Sequence, residues 1–263
     1  MDLPGESSLD QILSQLILTL SAAPRPAFEG RVRERRSGST LSKPWPSGQE
    51  VEGLTGLPVL PRKVLFGGEG AGELSSYIAG WMVGQGIEVV VLDGANRFDP
   101  YMVSSFAKKA SIPPESLLKR IRIARAFTCY QMATLVEEKL IALLTQEEAI
   151  GQMHKPWVIL LGPITTFLDE DVPERETRPL FERMLGKIEE MAMNGVSFFL
   201  FQPAISSGSK RTFLARRLFQ ISTLAWRISL DGEGPKMILE KGLTENHKTK
   251  DLRLRLGSRF SLE

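Results

Sequence analysis

The chain of 263 residues contains one cysteine, Cys129. That excludes an intrachain disulfide framework; Cys129 is expected to be a small buried hydrophobe, and the chain suits a reducing, cytoplasmic compartment. Histidine is almost as scarce. His154 and His247 lie far apart with no Cys or His companions at ligand spacing, so no zinc or other metal site is expected. No apolar run reaches the roughly 18 residues that a membrane span needs. The N-terminal stretch lacks a basic region and is interrupted by Gln11, Ser14 and Gln15, so a signal peptide is not expected. An excess of one charge is missing too: 33 Lys and Arg against 31 Asp and Glu leave +2, so any nucleic-acid contact must come from local clusters. What remains is a soluble globular composition of a length that fits one large domain, with or without a small appendage.

Residues 8–21 place Leu9, Ile12, Leu13, Leu16, Ile17 and Leu20 at helical spacing, which predicts a short amphipathic helix over 1–21. Residues 22–53 change character, with Pro24, Pro26, Pro44, Pro46 and the run Arg31, Arg33, Arg35, Arg36, and read as a flexible linker. The tethered helix either packs on its own core or docks on another subunit. From 54 to 241, short apolar segments at 64–66, 88–93, 120–126, 157–161 and 196–201 alternate with helical patterns at 73–85, 99–110, 130–150 and 179–194, and Pro113-Pro114 starts a short helix. Near-continuous apolar strands between helices predict an α/β fold with a largely parallel sheet covered on both faces. It ends in an antiparallel hairpin, 223–230 and 236–241, joined by Asp231-Gly232-Glu233-Gly234. The basic tail 242–263 alternates Leu252, Leu254 and Leu256 with Arg253 and Arg255, as one last edge strand would.

The first apolar strand runs into Gly67-Gly68-Glu69-Gly70-Ala71-Gly72-Glu73-Leu74. This has the outline of the phosphate-binding loop G-x-x-x-x-G-K-[ST], with Gly67 and Gly72 as the two glycines. Glu73 and Leu74 stand where the phosphate-binding Lys and the Mg²⁺-binding hydroxyl belong, although Ser75 lies one place later. At about 4 Å and an effective dielectric of 20, exchanging Lys for Glu turns an attraction of roughly 4 kcal/mol into a repulsion. ATP and NADH binding are therefore expected to be weak or absent.

With the second and third strands in view, the chain resembles the RecA/RadA recombinase superfamily. Leu54-Thr55-Gly56-Leu57-Pro58 is similar to the segment that precedes the phosphate loop in that family. Val91 to Pro100 resembles the strand end that carries the catalytic glutamate, Ile121 to Phe127 with Gln131 the third strand and following helix, and Phe199-Leu200-Phe201-Gln202 the strand that opens the second DNA-binding loop. The resemblance implies a RecA-like P-loop core and a role in DNA recombination or repair. It also puts Ala95 in the place of the water-activating glutamate and Gly162 in that of the Mg²⁺-organising aspartate. With Glu73 and Leu74, four separate functions of phosphoryl transfer are replaced. The expectation is a pseudo-ATPase, not an enzyme.

The resemblance sets Gln202 and the cluster Lys210, Arg211, Arg216, Arg217 beside single-stranded DNA; the bland alternative is a solvated loop and helix face. The other candidate DNA loop, 168–174, is acidic. Asp93 and Asp99 either rescue a metal site or cap turns and helices. Three functions stay open: a scaffold or modulator contacting DNA, another RecA-family subunit or itself through residues 8–21; a nucleotide sensor without turnover; and a dinucleotide-binding oxidoreductase, since Asp93 follows Gly72 by 21 residues. The last fails its fingerprint at Glu69 and Glu73.

Overall fold

In the computed structural model the described residues are 62–149, 155–205, 211–231, 234–242 and 253–255. Residues 1–61, with the expected helix and linker, the segment 54–58, both histidines and Lys210 lie outside them. β1 (Lys63–Gly68) leads through two residues into α1 (Ala71–Gly84), followed by β2 (Val89–Asp93), α2 (Pro100–Lys109), α3 (Pro114–Leu118) and β3 (Ile121–Arg125). Next come α4 (Cys129–Thr134), a π-helical turn (Leu135–Lys139), α5 (Leu140–Ala149) and β4 (Trp157–Leu161). A 3₁₀ turn (Thr165–Leu168), α6 (Glu174–Met193), β5 (Phe198–Pro203) and α7 (Thr212–Ile221) follow, then β6 (Leu224–Asp231), β7 (Gly234–Lys241) and β8 (Arg253–Arg255).

The eight strands form one sheet in the order β3-β2-β4-β5-β1-β6-β7-β8. Pairing is parallel from β3 through β6 and antiparallel for β6–β7 and β7–β8. All five residues of β2 and of β4 are buried, which is why neither shows polar alternation in sequence. One sheet face, with Leu65, Val90, Leu160 and Leu200, packs on Met132, Val136, Phe181, Met184, Leu185 and Leu218 of the helices α4 to α7. On the other face the rings of Trp157 and Phe199 stack at 5.3 Å and those of Phe66 and Phe201 at 4.9 Å, and α1 lies over this face beside α2. Offset aromatic stacking adds roughly 0.5–1.5 kcal/mol per pair beyond area burial. Among the described residues no helix is long and apolar enough to cross a membrane.

Three elements differ from the sequence reading. α6 begins five residues before Pro179, the residue expected to open it. Pro costs a helix interior its amide donor, but Thr177 Oγ1 donates to the Pro173 and Val172 carbonyls, and Thr177, Leu180 and Phe181 are buried. The expected helix 130–150 carries a π-helical turn. α7 occupies a stretch for which the sequence reading set no helix bounds, only a basic cluster facing DNA or, alternatively, a solvated loop and helix face; Leu214, Leu218 and Ile221 form its buried stripe.

Candidate functional site

Parallel strands of a doubly wound sheet point their carboxyl ends at the edge where such folds bind ligands, and the glycine connection opens that edge here. β1 does not stop at Phe66. Gly67 and Gly68 pair with Gln202 and Pro203 of β5 and with Arg227 and Ile228 of β6. Gly68 has φ 118°, and a Cβ there would lie 2.1 Å from the Ile228 carbonyl oxygen, so only glycine fits. Glu69 and Gly70 alone join strand to helix, with Gly70 as the left-handed N-cap at φ 80°. The expected loop from Gly67 to Gly72 is therefore shared out between strand, cap and first helical turn. Leu74, in the hydroxyl's place, is buried in the core. Ser75, one residue later, is also fully buried, and its Oγ donates to the Gly72 carbonyl at 2.6 Å. It is held inside the helix.

The loop after β2 folds around Asp93. This carboxylate is fully buried and accepts from the amides of Ala95, Arg97 and Phe98 at 3.2, 3.3 and 3.0 Å, with Arg125 Nε 3.5 Å away. Asp99 caps α2 by accepting from the Tyr101 amide at 2.8 Å, while its own amide donates to Ser76 Oγ at 2.9 Å and so ties α2 to α1. Both aspartates serve as caps. Among the described residues no group of three His, Cys, Asp or Glu side chains is placed to hold a metal ion.

Ala95 and Gly162, on the ends of β2 and β4, are packed against each other. Gly162 has φ 66°, and a Cβ on it would lie 2.6 Å from Ala95 Cβ, 2.6 Å from Thr165 Oγ1 and 2.8 Å from the Ala95 nitrogen. Beside them a Cβ on Gly94 would meet Met132 Cε at 2.4 Å. The row is stitched by backbone bonds just past the ladders: Ala126 N–H to Asp93, Gly94 N–H to Leu161, and Gly162 N–H to Phe201. Positions 95 and 162, where the resemblance expects carboxylates, meet as a contact of small residues.

Among the described residues, the members of the expected DNA cluster do not form one exposed patch. Gln202 is buried; its Oε1 accepts from the Ile164 amide, and its Nε2 donates to the Pro203 carbonyl at 3.0 Å and to Thr165 Oγ1 at 3.4 Å. Arg211, 7% exposed, donates to the carbonyls of Phe167 and Val172, both at 2.5 Å, and to Thr177 Oγ1. Arg217 grips Glu182 through Nε and Nη2, with distances down to 2.7 Å. That hydrogen bond holds the Glu182 carboxyl below the usual carboxylate range and raises the guanidinium. Arg216 is exposed. On the neighbouring segment Asp169, Glu170, Asp171, Glu174 and Glu176 are all exposed, and Glu176 accepts from the Tyr130 hydroxyl at 2.7 Å, which pushes the phenol's pKa up.

Sequence reasoning passed over Arg97, whose stem lies against the start of α1: a Cβ on Gly72 would sit 3.2 Å from Arg97 Cβ and 3.3 Å from Cδ. It also passed over Tyr101, 81% exposed in the first turn of α2, and Phe127, 68% exposed in the loop that follows β3. An open groove of about 380 Å³ lies along Leu65, Gly67, Glu69, Ala204, Arg227 and Glu240; the glycine at 67, with no atom near its absent Cβ, was its one sequence signal. In comparison with known proteins, the chain matches no protein-family model and no curated relative.

Proposed function

We propose that this protein is a non-hydrolysing paralogue of the RecA/RadA recombinase superfamily, a scaffold or modulator that contacts an active recombinase subunit, single-stranded DNA, or both. Three of the segments that carried the resemblance, the ends of β2, β3 and β5, come together with the glycine connection at one edge of a largely parallel sheet. That convergence supports the reading of the fold as a RecA-like P-loop core.

The observation that carries the loss of hydrolysis is the Ala95–Gly162 contact. Phosphoryl transfer is almost entirely positioning and charge neutralisation, and a Cβ on Gly162, the first atom any carboxylate side chain there would need, would lie 2.6 Å from Ala95 Cβ and 2.8 Å from the Ala95 nitrogen. The sensor reading is weaker, because Gly67 and Gly68 lie in strand pairing on both sides. Contact with DNA now rests on Arg216 and on residues outside the described ones, so recombinase docking is the stronger half of the proposal.

The purified chain should release no phosphate from ATP above background, with or without single-stranded DNA, and should co-elute with its host's active recombinase in gel filtration. ATP turnover abolished by Gly72→Asp would overturn the pseudo-ATPase reading. Separate elution of the two proteins at micromolar concentration would overturn the docking reading.

A further inference from the structure

We infer that Arg211, with Gln202, fastens two neighbouring segments of the carboxyl edge into one rigid unit, and that Arg211 is its positioning residue. Gln202 and Arg211 stand at the two ends of the connection between β5 and α7, and both reach into the same stretch between β4 and α6. Gln202 holds the Ile164 amide and Thr165 Oγ1. Arg211 holds the carbonyls of Phe167 and Val172 and the Thr177 hydroxyl. Each side chain is 7% exposed, so these polar groups are bonded to protein in place of water.

The chemistry requires an arginine. The planar guanidinium presents five donors in a fixed fork, and here it spans two carbonyls that lie five residues apart in sequence. A lysine ammonium has no such fork. When the guanidinium is withdrawn, the Phe167 carbonyl loses its buried partner and the Val172 carbonyl keeps only the long bond from Thr177 Oγ1, and a buried polar group left unpaired draws the segment open to water. The 3₁₀ turn, the acidic residues Asp169 to Asp171 and the first turn of α7 then loosen together. Whatever binds or orders one segment biases the other. The coupling stands on the hydrogen bonds alone; its use as a recognition surface rests on the docking reading above.

Hydrogen exchange followed by mass spectrometry on the full chain tests this with Arg211→Met, Arg211→Lys and Gln202→Leu. Arg211→Met is expected to speed exchange roughly tenfold or more, both in peptides covering 165–173 and in the first turn of α7, while peptides covering β2 and β3 stay unchanged. Arg211→Lys, which keeps the charge, is expected to restore only part of the protection. Gln202→Leu is expected to speed exchange at 164–165 and, through the shared segment, at the start of α7. If Arg211→Met leaves 165–173 unchanged, or if all peptides speed up by one common factor, the coupling is refuted and Arg211 is a general stability residue. Should Arg211→Met fail to fold, the lysine and Gln202 variants decide the matter by the same cross-effect. Intact coupling in a wild-type chain that does not co-elute with the recombinase would refute the docking reading and leave this inference standing.

Discussion

At Gly162 a hydrogen atom occupies the place where any other residue would drive a Cβ into Ala95. Its φ of 66° adds a second cost, since a left-handed backbone disfavours L side chains by roughly 1–2 kcal/mol. Overpacking a filled site costs typically about 1–3 kcal/mol more. Gly162→Ala is therefore expected to lower unfolding stability by about 2–5 kcal/mol in urea titration. Gly162→Asp should cost at least as much and restore no ATP turnover even beside Ala95→Glu. A Gly162→Ala midpoint equal to wild type would mean that the contact with Ala95 yields easily. The residue types Ala95 and Gly162 were legible in sequence, and their reading as replaced carboxylates rests on the resemblance alone. Their mutual packing was not, because positions 95 and 162 meet only when β2 and β4 pair.

Among the elements, α6 and α7 illustrate how charge can mislead. Arg211, Arg216 and Arg217 read as a phosphate-facing cluster, yet two of the three bond to protein partners. Arginine stems bury readily when the guanidinium finds acceptors, and the acceptors came from α6 and the segment before it, remote in sequence. The Arg217–Glu182 pair sets a pH dependence. Glu182 titrates lower when folded because Arg217 hydrogen-bonds its carboxylate. Its contribution is present above the ordinary glutamate range, near about 4.3, and is lost as pH falls through the depressed folded value. Both side chains are more than a third exposed, so screening limits the pair to about 0.2–1 kcal/mol. Glu182→Gln should be less stable than wild type by about 0.2–1 kcal/mol in urea at neutral pH, and the gap should close in acid once pH has fallen through the depressed folded value. A gap of equal size at both pH values would show that packing, not charge, sustains the contact. The strands, by contrast, were plain in sequence: β4 appears where its five apolar residues put it, because burial on both faces leaves no polar alternation to confuse the reading.

For the whole molecule, the docking proposal rests on the segment before the described residues. Six aliphatic residues from Leu9 to Leu20 recur at helical spacing in the sequence, and fully burying each is worth on the order of 1.5–3 kcal/mol. Leu13→Asp combined with Leu16→Asp should change the mass measured by light scattering or abolish co-elution with the recombinase. Unchanged mass and co-elution with only a lower melting temperature would mean that the segment packs on its own core. By itself the amino-acid sequence determined the α/β class, the order of the strands along the chain, the closing hairpin and the residue types at the glycine connection. Those follow from periodicity, turn chemistry and local composition, which act over a few residues. Only the tertiary structure decided that Gly67 and Gly68 stay in the sheet, that Ser75 turns into its own helix, that Ala95 meets Gly162, and that Arg211 faces inward. Each of these depends on atoms brought within about 4 Å by strand pairing or helix packing across long stretches of chain, and no local pattern carries that information.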